Sequence, residues 1–264
     1  MIIPELAGSA VTELDGLRAA CDAAVAGLAG CGADTLVVVG ADQVSAVYRQ
    51  PFHGSFRPWG APVDVTLDPA GGPVVGRAGS ADPDAVGDPL PLSLLVGGWL
   101  LRRAFRPAAA VRIKMETVSW DDLTTPGLRA GHRGGDPDSP LRVDADQGGA
   151  GHSGAGQGGA DDPPWALLVM GDGSACRGRR APGYDDPRAQ AYDDGVAAAL
   201  AGADTEALLA LDPALSARLR VAGRAPWQVL AAAARQTGGR WRGDLSYYSA
   251  PYGVAYFVAT WMPA

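Results

Sequence analysis

The stretch Trp165-Ala-Leu-Leu-Val-Met-Gly-Asp-Gly-Ser-Ala-Cys-Arg177 decides the fold class. Its first six residues form a short apolar run, which is typical of a strand buried in an α/β sheet. The run stops at Gly171-Asp172-Gly173-Ser174, and such a turn delivers polar side chains to the rim of the sheet, where α/β folds bind ligands. The turn offers a carboxylate, a hydroxyl and backbone N–H groups, but no histidine. Asp172 and Ser174 are therefore candidate catalytic or ligand-binding residues.

Apolar patterns on both sides of this stretch predict the rest of an α/β domain. Residues 9–28 carry apolar side chains at three- and four-residue spacing and predict the first helix. Residues 35–39 form an uninterrupted apolar run, which favours a parallel strand covered on both faces. Other predicted strands span residues 63–67, 108–117 and 253–261, and other predicted helices span 90–105, 187–201, 204–211, 213–221 and 226–236. This order predicts a single three-layer α/β domain over residues 1–264, with a mostly parallel central sheet flanked by helices.

One segment, at about residues 128–164, departs from these patterns. It is rich in Gly and Asp and shows no apolar periodicity, so we expect a flexible insertion that buries too little surface to offset its ordering entropy. A glycine-rich phosphate-binding loop would need a strand before it and a helix after it. Here Asp161-Asp162-Pro163-Pro164 follows the glycines, which argues against such a loop.

Composition and charge restrict the classes of partner. The chain has 22 Lys and Arg against 29 Asp and Glu, a net charge of −7, which argues against binding to nucleic acid. No apolar run reaches membrane-spanning length and no N-terminal targeting pattern is seen, so no membrane partner is expected. Cys21, Cys31 and Cys176 show no paired spacing. They predict reduced thiols and a cytoplasmic protein.

Motifs along nearly the whole chain outside the insertion resemble one enzyme superfamily. The chain resembles the catalytic B subunits of class III extradiol ring-cleavage dioxygenases, a superfamily that includes the Memo-like proteins, and more closely an actinobacterial branch of it. The motifs that carry this resemblance are Ile2-Ile-Pro-Glu-Leu6, Val37-Val-Val-Gly-Ala-Asp42, Gly54-Ser-Phe-Arg-Pro-Trp-Gly60, Val169-Met-Gly-Asp-Gly-Ser174, Ala181-Pro-Gly-Tyr-Asp-Asp-Pro-Arg188, Pro226-Trp-Gln-Val-Leu230 and Ala250-Pro-Tyr-Gly-Val-Ala-Tyr-Phe257.

The resemblance implies non-haem Fe(II) held by histidines and a carboxylate, but this chain departs from that ligand set. The first histidine of the superfamily lies in a Pro-His-x-Pro segment before the position of Met1, so we expect either a true start upstream or another segment in place of the first strand. Gln43 stands at the second histidine position and Ala175 at the third. His53 is the one remaining candidate ligand, because His132 and His152 lie in or beside the insertion. We therefore expect no metal and no other cofactor.

Two candidate nucleophiles, Ser174 and Cys176, lie near the central turn. Ser174 lacks the Gly-x-Ser-x-Gly elbow of serine hydrolases and a nearby histidine base, so hydrogen bonding of Asp172 and Ser174 to local backbone N–H groups is the favoured interpretation. Cys176 is followed by Arg177, Arg179 and Arg180, which would lower the pKa of a reactive thiol, but a loop cysteine without a catalytic role is the favoured interpretation.

Several polar side chains are predicted to converge at the carboxyl ends of the strands, where open α/β sheets bind ligands. Tyrosines there suit an aromatic or phenolic ligand, although they are equally good packing residues. The predicted ligand pocket comprises Asp42, Gln43, Asp172, Ser174, Tyr184, Tyr247, Tyr248 and Tyr252, and the candidate catalytic residues are Asp172, Ser174 and His53.

Two classes of function follow from this reasoning. The favoured one is a metal-free protein that binds or senses a small molecule on an extradiol-dioxygenase scaffold. The alternative is an oxidoreductase, such as a divergent non-haem metal-dependent dioxygenase, that acts on an aromatic or phenolic substrate in the same cleft. No feature of the sequence excludes a homo-oligomer.

Overall fold

A computed structural model describes residues 2–8, 11–48, 50–67, 89–107, 110–120, 129–131, 142–144 and 164–264. The helices of these ranges are α1 (Pro4–Ala7), α2 (Asp15–Ala29), α3 (Leu92–Ala104), α4 (Ala189–Gly202), α5 (Thr205–Leu209), α6 (Pro213–Arg218) and α7 (Arg224–Gln236). The strands are β1 (Thr35–Asp42), β2 (Ala46–Tyr48), β3 (Phe52–Ser55), β4 (Asp64–Leu67), β5 (Arg112–Ser119), β6 (Arg129–Gly131), β7 (Arg142–Asp144), β8 (Trp165–Val169), β9 (Trp241–Ser249) and β10 (Tyr256–Pro263).

The central sheet has the strand order β2-β5-β1-β8. Strand β1 pairs in parallel with both β5 and β8, and β2 adds an antiparallel edge next to β5. Helices α2 and α3 lie on one side of the sheet, and α7 lies on the other. The prediction of a mixed α/β protein with a mostly parallel central sheet flanked by helices is confirmed.

The uninterrupted apolar sequence of β1 follows from burial on both of its faces. Leu36 and Val38 pack into the core beneath α2 and α3, whereas Val37 and Val39 contact Val229 of α7. All four are at least 98 % buried. Neither face meets water, so neither face selects polar residues.

Strand β8 differs from the prediction in its burial. It pairs with β1 on one side and lies at the edge of the sheet within the described ranges, and most of its residues are half-buried. Trp165 keeps 41 % of its surface exposed. An apolar run therefore identified the strand correctly but overstated its burial, because apolar sequence also suits an edge strand that packs on both faces while one of its sides is unpaired in the described ranges.

The C-terminal region contains a hairpin where a single strand had been predicted. Strands β9 and β10 pair antiparallel and form a ribbon between α2 on one face and α4 on the other. Strand β9 was missed because Gly243, Asp244 and Ser246 interrupt its apolar pattern. The pattern is tolerated because Asp244 and Ser246 are exposed and Gly243 lies against the backbone at the end of α4.

Other differences are smaller. The first predicted helix is divided into α1, a single 3₁₀ turn at Thr12–Leu14, and α2. The predicted insertion lies largely outside the described residues, although β6 and β7 within it pair antiparallel. No helix in the described ranges is both long and apolar enough to cross a membrane.

Candidate functional site

The carboxyl ends of three parallel strands define the edge at which the site lies. Strands β1, β5 and β8 end at Asp42, Ser119 and Val169, and the chain leaves β8 with a hydrogen bond from Met170 N to Val39 O of 2.7 Å. The Gly-Asp-Gly-Ser turn follows immediately. Its position at this edge agrees with the prediction from the sequence.

Three close contacts fix the turn in place. A Cβ atom on Gly171 would lie 2.4 Å from Gly223 Cα, so the two backbones touch where α7 begins. Gly223 N donates to Asp172 O at 2.8 Å, and Gly173 N donates to Ala255 O at 2.8 Å. Asp172 is therefore held between the start of α7 and the start of β10, with its side chain at the sheet edge.

The Asp172 carboxyl combines accessibility with desolvation. The residue keeps substantial exposed surface, yet the dense protein around it withdraws water and raises the pKa of its carboxyl from 3.8 to about 6. Asp172 and the residues that pack around it form the candidate site at this edge of the sheet. We call this site the Asp172 crevice.

The phenol of Tyr256 lies close enough to Asp172 to interact with its charge, and Tyr247 lies beside Tyr256. Burial raises the pKa of Tyr256, and the negative charges of Asp172 and Tyr247 raise it further. Tyr247 lies opposite Val258 across the β9–β10 ladder, which places it on the same ribbon face as Tyr256. Within the described part of the chain, neither phenol hydroxyl has a hydrogen-bond partner. The Asp172 crevice therefore combines one carboxyl with the phenol of Tyr256, and Tyr247 lies beside that phenol.

Asp42 and Gln43 share the sheet edge with Asp172. Asp42 Oδ1 accepts a hydrogen bond from Gln43 N at 2.8 Å, and Ser119 Oγ donates to Gln43 O at 2.9 Å. Gln43 is exposed. The predicted placement of these two residues at the end of β1 is correct, although no contact joins them to the Asp172 side chain in the described structure.

Ser174 is not accessible to a substrate. Its side chain is fully buried, its Oγ donates to Asp193 Oδ2 at 2.6 Å, and its N donates to Asp193 Oδ1 at 2.9 Å. Asp193, on α4, is also fully buried. The hydroxyl and the amide together satisfy the Asp193 carboxylate, so Ser174 fixes the turn to α4. The sequence predicted that Ser174 would accept a hydrogen bond from a backbone N–H of its own turn. The structure shows instead that the Ser174 hydroxyl donates to Asp193.

Tyr248 belongs to a polar network on the opposite face of the ribbon. Its hydroxyl donates to Asp194 Oδ1 at 2.6 Å and accepts from Arg177 Nη1 at 3.0 Å. Its ring stacks on Phe257 with the ring centres 5.0 Å apart. Burial and the hydrogen bond to Asp194 raise the pKa of Tyr248 to about 12. Arg177 also lies 3.8 Å from Asp193, so this network braces α4 against the ribbon.

Two more tyrosines of the predicted pocket lie elsewhere. Tyr184 is 80 % exposed, and Tyr252 is 49 % exposed, with its hydroxyl hydrogen-bonded to Glu13 Oε2 at 2.5 Å. The structure thus places Tyr247 beside Tyr256 and Tyr248 on the other face of the ribbon, and no contact joins Tyr184 or Tyr252 to Asp172 in the described ranges. Tyr256, which is not one of the predicted pocket residues, lies beside Asp172. The alternation of side chains along the β9–β10 hairpin places Tyr256 on the same face as Tyr247 and could have predicted this position.

Cys176 is not a reactive thiol. It is 99 % buried, Sγ donates to Gly183 O at 3.2 Å, and burial raises its pKa. The arginines that follow it had suggested a lowered pKa. Burial outweighs the nearby positive charge of Arg220, which acts in the opposite direction. The three cysteines are free thiols, as predicted.

The residues present do not fit the Fe(II) site that the resemblance implies. His53 lies on β3, paired with Thr66 of β4, and its Nδ1 is buried with no hydrogen-bond partner in the described structure. No three His, Cys, Asp or Glu side chains of the described ranges are arranged to hold a metal ion. His132 and His152 lie outside those ranges. A facial set of two histidines and a carboxylate, as Fe(II) oxygenases require, is not formed by the residues that the structure describes.

Comparison with known proteins adds no assignment. No protein-family model matches the chain, and no curated protein matches it.

The raised pKa of Asp172 predicts a pH-dependent stability. A carboxyl whose pKa is raised on folding favours the folded state while it is protonated, and it loses that contribution as pH rises from about 4 to about 6. Asp172→Asn should remove this dependence. Urea unfolding at several pH values should therefore show the variant gaining stability relative to wild type between pH 4 and pH 7. The exposed Asp244 provides the control, since Asp244→Asn should follow wild type at every pH. Parallel curves for wild type and Asp172→Asn would contradict the prediction.

Proposed function

We propose that the protein binds a small aromatic molecule carrying a hydroxyl group in the Asp172 crevice, and that this binding serves a sensing or regulatory role. The observation that carries the proposal is the exposed Asp172 carboxyl at the sheet edge beside the phenol of Tyr256, whose hydroxyl has no hydrogen-bond partner among the described residues. Ligand sites in α/β proteins lie at the carboxyl ends of the strands, which is where this crevice opens.

The chemistry of the crevice favours a phenolic ligand over an apolar one. A carboxylate accepts a charge-assisted hydrogen bond from a ligand hydroxyl, and such bonds are stronger than those between neutral groups. The hydroxyl of Tyr256 can donate to or accept from the same ligand, and the rings of Tyr247 and Tyr256 offer contact to an aromatic ring. A purely apolar ligand would cover the exposed carboxyl and remove its water without giving it a hydrogen-bond partner, which is costly.

The resemblance to extradiol dioxygenases supports an aromatic ligand, and the changes at the metal-binding positions support binding without catalysis. Gln43 and Ala175 stand where that superfamily has histidines. The chain would then keep a crevice for aromatic molecules at the carboxyl ends of its strands while having lost the iron that cleaves them.

Binding of catechol provides the direct test. We expect saturable binding in isothermal titration calorimetry, weakened about 10-fold or more in Asp172→Asn and in Tyr256→Phe, because each variant removes one hydrogen-bonding group. Cyclohexane-1,2-diol, which has the hydroxyls without the aromatic ring, should bind more weakly than catechol. Tyr248→Phe is the matched control, since this phenol lies on the other face of the ribbon. If Asp172→Asn and Tyr256→Phe both bound catechol as tightly as wild type does, the proposal would be wrong.

The oxidoreductase alternative has its own readout. Catechol, Fe(II) and the protein should show no more oxygen uptake in an oxygen electrode than catechol and Fe(II) alone. Protein-dependent uptake that is lost in His53→Ala would replace the binding proposal with the dioxygenase alternative.

A further inference from the structure

Tyr184 has a combination of backbone and side-chain features that packing does not explain. Its φ angle is 67°, in the left-handed region that favours glycine, and its side chain is 80 % exposed. A tyrosine at such a position strains the backbone without burying its ring. Strain of this kind persists where the surrounding structure enforces it, and it is concentrated at functional positions.

The loop that carries Tyr184 is firmly held. Gly183 N donates to Ala175 O at 2.8 Å, and Gly178 N donates to Asp185 Oδ1 at 2.9 Å. Arg220 Nη1 donates to Pro182 O at 3.2 Å. A Cβ atom on Gly183 would lie only 2.6 Å from Cys176 Sγ, so the loop is pressed against the buried cysteine. The exposed ring therefore projects from a backbone with little freedom to move, which lowers the entropy cost of ordering it in a complex.

The charge around Tyr184 is opposite to that of the whole chain. Two aspartates of the loop, Asp185 and Asp186, are outnumbered by five exposed arginines, which gives a local charge of +3 against −7 for the chain. The arginines are Arg179, Arg180 and Arg188 of the loop, and Arg218 and Arg220 at the end of α6. Arg179 and Arg180 have no hydrogen bond or ion pair with any described residue. We call the loop 178–188 with Arg218 and Arg220 the Tyr184 surface.

We propose that the Tyr184 surface docks an acidic peptide segment of another protein, with Tyr184 as the central contact. Arginine and tyrosine are the side chains that most often dominate binding energy at interfaces. The exposed arginines match carboxylates, and the phenol ring gives an apolar side chain of the peptide a flat surface to pack on. A polyanion such as DNA fits less well, because the acidic remainder of the chain would repel the strands beyond the patch.

Fluorescence anisotropy with a labelled peptide tests the proposal. The probe is a peptide of sequence (Glu-Pro-Leu-Glu)₃, and the control replaces each Glu by Lys. We expect saturable binding of the acidic peptide in about 50 mM salt, strongly weakened in about 500 mM salt, and no binding of the basic peptide. The double charge reversal Arg179→Glu and Arg180→Glu should abolish binding.

Tyr184→Gly separates a binding role from a structural one. Glycine accepts the left-handed backbone without strain, so this variant should have a melting temperature equal to or above that of wild type. It should nevertheless bind the acidic peptide about 10-fold or more weakly, as expected for loss of a central aromatic contact. Catechol binding in the Asp172 crevice should be unchanged, which keeps this test independent of the proposed function.

Three outcomes would overturn the proposal. These are no binding of the acidic peptide by wild type, equal binding by Tyr184→Gly, and equal binding by the double charge reversal Arg179→Glu and Arg180→Glu. Tighter binding of a labelled oligo(dT) than of the peptide would reassign the patch to nucleic acid. Sedimentation that reveals a dimer dissociated by the charge reversal would reassign it to a second copy of the chain.

Discussion

The substitution Gly171→Ala is expected to lower the free energy of unfolding by about 3 kcal/mol or more. The added Cβ would lie 2.4 Å from Gly223 Cα and 3.3 Å from Gly223 N. Both neighbours are backbone atoms, so no side-chain rotation relieves the clash, and β8 or the start of α7 has to move. The shift would also disturb the 2.8 Å hydrogen bond from Gly223 N to Asp172 O. Denaturant unfolding followed by circular dichroism would measure the loss.

Gly195→Ala is the matched control for this experiment. Gly195 lies on the exposed side of α4, and a Cβ atom there would have nothing within 4 Å. Alanine at this helix position should raise the stability by up to about 1 kcal/mol, because glycine is a poor helix former. If Gly171→Ala unfolded at the same denaturant concentration as wild type, the close backbone contact between the turn and α7 would not exist in solution.

The elements that could be predicted from the sequence are those with a single dominant pattern. Strand β1 could be found because both of its faces are buried and its apolar run is unbroken, and α7 because its apolar residues recur at helical spacing. Strand β9 could not be found in the same way. Its half-buried side chains lie between α2 and α4, and the pattern of burial depends on helices more than 30 residues away in sequence.

The candidate site was predictable only where it is local in sequence. The Gly-Asp-Gly-Ser turn follows an apolar strand, and this alone placed Asp172 at the edge of the sheet. Tyr256 reaches Asp172 through the pairing of Gly173 with Ala255, a contact across more than 80 residues that no local pattern encodes. The role of Ser174 likewise depends on a residue distant in sequence, Asp193, which accepts its hydrogen bond. Nothing in the sequence distinguishes Asp193 from other polar residues of a helix.

The Gly-Asp-Gly-Ser turn places an exposed carboxyl and a fully buried hydroxyl only two residues apart. Asp172 faces the accessible crevice beside Tyr256, whereas Ser174, two residues later, is fully buried against Asp193. Gly173 lies between them, where a Cβ atom would meet Phe257, Ala255 and Asp193 at 2.6–2.9 Å. The close packing around Gly173 and Ser174 holds the backbone that presents Asp172. The geometry of the crevice therefore depends on a buried polar contact that no ligand touches.

Asp193→Ala should be among the most damaging single substitutions in the chain. It would remove both acceptors of Ser174 and leave the buried Ser174 N–H and O–H groups without partners. It would also remove the carboxylate 3.8 Å from Arg177. Loss of a buried, hydrogen-bonded carboxylate costs roughly 3–5 kcal/mol, because each orphaned group keeps its desolvation penalty. We expect a fall of this size in the free energy of unfolding, measured by urea denaturation at neutral pH.

Two further variants distinguish the buried contact from the general loss of a carboxylate. Asp194→Asn, at the exposed neighbour on α4, should cost about 1 kcal/mol or less, because its partners Tyr248 and Gln190 still reach water. The double variant Ser174→Ala with Asp193→Ala should be less destabilised than the sum of its single variants, since removing the Ser174 hydroxyl eliminates one orphaned donor. Additive single effects would mean that Ser174 and Asp193 do not depend on each other. The Gly-Asp-Gly-Ser turn would then be held by its glycine contacts alone, and Asp172 should keep its raised pKa in Asp193→Ala.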